Sequence, residues 1–121
     1  MSYYLTEMGA DGDQVKIVLG GELDMRAAPA LRDALTRATE ARVTYVIVDL
    51  TDATFVDSTT IGALIMASRQ VRDSGGRLGL ICTNRNVVRT VEIAGLDRHL
   101  VLAPTHEEAR QVADLSAGSK V

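Results

Sequence analysis

Tyr45-Val46-Ile47-Val48-Asp49-Leu50-Thr51-Asp52-Ala53-Thr54-Phe55-Val56-Asp57-Ser58-Thr59-Thr60-Ile61-Gly62-Ala63-Leu64-Ile65-Met66-Ala67 is the stretch that decides the fold. From Val43 to Leu50 the chain is too continuously apolar to be half exposed, which predicts a central strand covered on both faces. A short acidic connection follows. A helix then runs from about Ser58 to Asp73, carries no charge before Arg69, and stops at Gly75-Gly76. Its first turn is built from Asp57, Ser58, Thr59 and Thr60, a hydroxyl cluster opening an almost wholly apolar helix.

Upstream of this stretch, Tyr3 to Met8 and Val15 to Leu19 flank the turn chemistry of Gly9-Ala10-Asp11-Gly12-Asp13, which predicts a hairpin closed by Gly20 and Gly21. Glu22-Leu23-Asp24 then leads into a helix. Ala27, Leu31, Ala34, Leu35 and Ala38 share one face of it, and Pro29 is tolerated in its first turn. Downstream, Leu78 to Cys82 is a buried strand, and Asn86 to Ala94 a helix with Val87, Val88 and Val91 inward and a cap at Gly95-Leu96. Leu100 to Leu102 is a short strand. Thr105 and Glu108 stand at capping-box spacing for a last helix with Ala109, Val112, Ala113 and Leu115 apolar, and residues 116–121 read as a flexible tail. The order β-β-α-β-α-β-α-β-α demands an α/β fold: one domain over residues 1–121, with a mixed, mostly parallel sheet of about five strands and helices packed against it.

Bulk properties narrow the function. The 121 residues suit a single modest core, with 46% apolar and 24% charged residues. A net charge of −3, with three tyrosines, one phenylalanine and no tryptophan, argues against nucleic acid as partner. No signal peptide and no apolar run of membrane-spanning length are evident, so a cytoplasmic protein without direct membrane insertion is expected. Cys82, the only cysteine, reads as a buried small hydrophobe rather than a reactive thiol.

The residues offer little to an enzyme. His99 and His106 have no partners at metal-ligand spacing, and no Gly-rich loop precedes a Lys-Ser/Thr pair, so neither a metal nor a cofactor is expected. Asp49, Asp52 and Asp57 lie near strand ends as a phosphate-accepting aspartate would. The only lysines, Lys16 and Lys120, are poorly placed to serve such a site. No Gly-x-Ser-x-Gly elbow surrounds Ser58. Two uses of Ser58 stand side by side. One is a plain helix N-cap shared with Asp57. The other is a phosphorylation site at a helix N-terminus, where free N–H groups and partial positive charge tolerate a phosphate, and where nearly two added negative charges would repel a partner. The helix behind it is apolar on several faces: Ile61, Leu64 and Ile65 form one stripe, while Ala63, Met66 and Ala67 lie elsewhere. Such a helix is covered on more than one side, by its own fold or by a partner docking over Met66.

Gly21-Glu22-Leu23-Asp24, Val46-Ile47-Val48-Asp49-Leu50, Phe55-Val56-Asp57-Ser58-Thr59 with Gly62 after it, and Glu92-Ile93-Ala94-Gly95-Leu96 together resemble a STAS domain, and more narrowly the free-standing bacterial anti-sigma factor antagonists. The resemblance implies a partner-switching role in transcription regulation and stress response. There an unphosphorylated antagonist binds an anti-sigma factor, itself a serine kinase, and frees a sigma factor. Phosphorylation at the position of Ser58 ends the binding, and a phosphatase restores it. It further implies a partner-binding surface formed by Asp24, Asp57, Ser58, Thr59, Thr60, Ile61, Gly62 and Met66, with a homodimer as a further use of the apolar helix. The family's common Asp-Ser-Ser/Thr-Gly-Leu/Ile-Gly is broken here by Thr60 at the first glycine position. A side chain there is expected to restrict a partner's approach and to leave Thr59 and Thr60 as secondary acceptors. It also keeps open a STAS interaction subunit of a transporter or larger assembly without a phosphoswitch.

Overall fold

In the computed structural model, residues 3–11, 14–41, 43–95 and 101–103 are described. The elements run β1 (Tyr3–Asp11), β2 (Gln14–Leu23), α1 (Ala28–Glu40), β3 (Tyr45–Asp49), β4 (Ala53–Val56), α2 (Ser58–Asp73), β5 (Arg77–Ile81), α3 (Arg85–Ile93) and β6 (Val101–Ala103). They build one six-stranded mixed sheet ordered β1-β2-β3-β5-β6, with β4 also paired to β2. Among the described residues only the β1–β2 pair is antiparallel; the other pairings are parallel. The expected last helix from Thr105, the tail at 116–121, and His99, His106 and Lys120 fall outside the described residues.

The core follows from the two periodicities in the sequence. Along β3, Tyr45 to Val48 are all buried, as a strand between β2 and β5 requires. On α1 the predicted face is the buried one, with Leu31, Ala34 and Leu35 at 1% exposure or less, and Pro29 sits in its first turn. α3 buries Val87 and Val91, and Val88 is half-buried. Each fully buried Leu of this kind contributes about 1.5–3 kcal/mol through removal of apolar surface from water.

Two expectations fail here. Gly20 and Gly21 do not close the hairpin; β2 continues through both to Leu23, which is fully buried. Gly20 makes room instead for the ring of Tyr4, since a Cβ there would lie 2.3 Å from it. That ring carries a hydroxyl donating to the Asp52 carboxylate at 2.7 Å. Gly21, with φ of 84°, sits at a register shift where β2 changes neighbours. The acidic connection after Leu50 is also more than a loop. The chain turns through Asp52, whose carbonyl accepts the Gly21 N–H at 3.0 Å, and Ala53–Val56 then pair with Gly21–Leu23 as a strand. The long β2 thus has β3 beside its first half and β4 beside its second.

α2 ends through Ser74 into Gly75, whose φ of 91° makes the turn, and buried Gly76 follows. A Cβ on Gly76 would lie 2.9 Å from the Val43 carbonyl oxygen and 3.0 Å from that of Thr44. Backbone atoms yield little, so Gly76→Ala is expected to destabilise the fold by about 1–3 kcal/mol. Urea denaturation measures this, and an unchanged midpoint would contradict the packing described.

Candidate functional site

Leu23 and Val56 are register partners at the ends of adjacent parallel strands, so Asp24 and Asp57 leave the sheet side by side. Asp57 is in extended conformation, and its carboxylate accepts the Thr60 N–H at 2.9 Å, which makes Asp57 the N-cap of α2. The plain reading of Ser58 as cap is thereby corrected: Ser58 is the first helical residue, where no cap bond is available to it. Its side chain is exposed, and its hydroxyl has no hydrogen-bond partner among the described residues. The free N–H groups and dipole of the helix end lie beside it.

Thr60 turns the other way. It is fully buried, and its hydroxyl donates to the Leu23 carbonyl at 3.0 Å. The same carbonyl accepts the Asp57 N–H, also at 3.0 Å. Thr60 therefore presents no side chain to a partner and no hydroxyl to a kinase, contrary to the expectation that it narrows approach or serves as a secondary acceptor. The reason is helical geometry: two residues along, the side chain has rotated from the solvent face toward the sheet. Thr59 is half-buried between them.

Asp24 is firmly ionised, but its charge is balanced by a neighbour. Its carboxylate accepts the Arg26 N–H at 2.9 Å and the Arg26 guanidinium at 2.7–3.1 Å. That side-chain hydrogen bonding, seconded by the backbone N–H, holds the carboxyl down at about 2. Asp24 thus reaches the surface as half of an ion pair, and Asp57 as a carboxylate engaged in capping.

Farther along α2, Ile61, Ala63, Leu64 and Ala67 are all buried, so Ile61 belongs to the core and not to a partner surface. The helix's all-round apolarity is largely met within the fold, because α1 packs against it. Met66 is the exception at 60% exposure. Gly62 is exposed too, and a Cβ placed on it would meet nothing within 4 Å. Ser58, Gly62 and Met66 succeed one another at four-residue spacing, which sets them on one side of the helix.

The other sequence candidates are dispersed. Asp49 pairs with Lys16 at 3.3 Å, Asp52 accepts from Tyr4, and Asp57 caps α2, so the three acids serve separate partners. Burial pushes the Cys82 thiol up to about 11, away from thiolate chemistry. Among the described residues no cluster of three potential ligands for a metal occurs, and no helix is long and apolar enough to cross a membrane. Sequence reasoning missed Met25, 69% exposed directly after Asp24, and Phe55, 50% exposed on β4. An apolar residue between the two charges of Asp24 and Arg26 was the available signal for Met25.

The model of the STAS domain family matches residues 7–109. An anti-sigma-B factor antagonist of Listeria monocytogenes is 30% identical over 86 residues, covering 71% of this chain and 75% of the relative. An anti-sigma factor antagonist from Mycobacterium paratuberculosis superposes with a TM-score of 0.83 at 24% identity, over 93% of this chain and 95% of that one. The anti-sigma factor antagonist SpoIIAA in its unphosphorylated form gives 0.75 at 27% identity, over 88% and 92% of the two chains. The phosphorylated form of SpoIIAA gives 0.70 at 25% identity, over 89% and 97%.

Thr60→Val keeps the shape of the buried side chain and deletes its bond to Leu23. The expected cost is about 0.5–1.5 kcal/mol, read by urea denaturation, with Thr60→Ser restoring part of it. Equal stability of Thr60→Val and wild type would show that the bond contributes nothing.

Proposed function

The chain belongs to the STAS domain family, among the anti-sigma factor antagonists, and from that premise we propose that it is a binding protein switched by phosphorylation at Ser58. Unmodified, it binds an anti-sigma factor with serine kinase activity and frees a sigma factor in the cytoplasm. Modified, it lets go, and a phosphatase resets it. The role asks for binding and release, with no catalysis by this chain.

The observation that carries this proposal is the uncommitted hydroxyl of Ser58. Capping is done by Asp57 and anchoring by Thr60, so a phosphate on Ser58 would break no bond of the fold. It would add nearly two negative charges beside Asp57 and Asp24 at the edge of a surface formed by Met25, Thr59, Gly62 and Met66. Like charge brought against a docked partner costs several kcal/mol, enough to end an interaction of ordinary strength. That SpoIIAA is described in both phosphorylation states supports the same chemistry here. The alternative of an interaction subunit without a switch drew on Thr60 as an obstacle at the surface, and with Thr60 buried that support lapses.

Incubation with the cognate anti-sigma kinase and ATP is expected to place phosphate on Ser58 by mass spectrometry. Ser58→Ala should keep binding the kinase, and Ser58→Glu should weaken it by about tenfold or more. Phosphate found only elsewhere, together with unchanged binding of Ser58→Glu, would overturn the proposal.

Gly62 supplies a second measurement. A mid-helix glycine costs about 1 kcal/mol relative to alanine, and nothing among the described residues occupies the space its missing Cβ leaves. That space suits a partner's backbone lying close against α2. Gly62→Ala is therefore expected to raise stability by about 1 kcal/mol while weakening partner binding. A variant both more stable and equally tight would remove Gly62 from the interface.

A further inference from the structure

α1 and α2 leave between them a groove of about 260 Å³. Leu35, Ala63 and Ala67, all buried, form its base, and the exposed side chain of Met66 stands along one wall. Thr36, Gln70 and Arg32 line it as well. Arg32 is exposed and has no ion-pair or hydrogen-bond partner among the described residues, unlike Arg26 and Arg37, which are paired with Asp24 and Glu7. An apolar slot beside an unmatched guanidinium calls for one aliphatic side chain with a carboxylate next to it.

We infer that this groove is a second docking subsite, taking an aliphatic side chain and a neighbouring carboxylate from the same partner that covers Ser58. The inference rests on the proposed function and extends its surface. Met66 joins the two places: it lies one turn beyond Gly62 on the side of α2 that begins at Ser58, and it is also a wall of the groove. A second copy of this chain fits less well. An isologous contact sets the patch against itself, and among the described residues the groove's own lining holds no acid to meet Arg32; Glu40 and Asp73 lie beyond Thr36 and Gln70. The chemistry favours a different protein with an acidic, amphipathic segment.

Isothermal titration of the full unphosphorylated chain with the purified cognate anti-sigma factor tests this. Thr36 is exposed, so Thr36→Trp fills the groove from its rim without touching the core. Thr36→Trp and Arg32→Glu are each expected to weaken binding by about tenfold, with Arg32→Glu also reducing the salt dependence. Melting curves establish that the variants are folded, and Arg32→Glu alone decides if Thr36→Trp is not. Wild-type affinity in the folded variants, with Ser58→Glu still defective, would overturn the subsite and leave the Ser58 switch standing. Absence of binding by the wild type would overturn both. A wild-type dimer on sedimentation that Thr36→Trp dissociates would assign the groove to a second copy and overturn the inference.

Discussion

The carbonyl oxygen of Leu23 holds the start of α2 to the end of β2. It receives the backbone N–H of Asp57 and the hydroxyl of Thr60, so one acceptor at the end of β2 ties down the last residue before α2 and the first inward-facing side chain within it. A carbonyl with two lone pairs can accept both. Because Leu23 is itself fully buried, the tie is anchored in the core. The helix start is thereby fixed in position relative to the sheet by bonds that involve no surface group.

Neighbouring residues can consequently serve different ends. Asp57 and Thr60 satisfy the helix end, Asp24 is balanced by Arg26, and Ser58 is left with nothing structural to do. A fold that depended on the Ser58 hydroxyl would be weakened whenever that oxygen changed its charge. Here a charge added at exposed Ser58 would stay at the surface. The same division runs along α2, where Ala63 and Ala67 close against α1 while Gly62 and Met66 remain outside the packing.

The sequence made much of the fold legible, for identifiable reasons. β3 declared itself through unbroken apolarity, and α2 through its hydroxyl-and-acid start and its Gly75-Gly76 stop, so both ends of α2 coincide with Ser58 and Asp73. β4 escaped because it is only four residues long and two of them, Thr54 and Phe55, are exposed, leaving no alternation long enough to recognise. Gly20 and Gly21 looked like a turn because their purpose, space for Tyr4 and a change of strand neighbour, exists only once β1 and β4 are in place. At the site, the residue types were readable but their directions were not. About half a turn of helix separates exposed Ser58 from buried Thr60, and the cap fell to Asp57. The groove could not be read at all, since Arg32 and Met66 meet only through the packing of α1 on α2.

The idle hydroxyl at the start of α2 also bears on how such a chain diversifies. Since no bond among the described residues depends on it, replacing that serine by another small residue would remove no bond of the fold. A duplicate gene could then lose or regain the proposed acceptor in a single codon step and still yield a sound molecule. Under the proposed switch, lineages would be free to keep responsive and permanently engaged versions side by side.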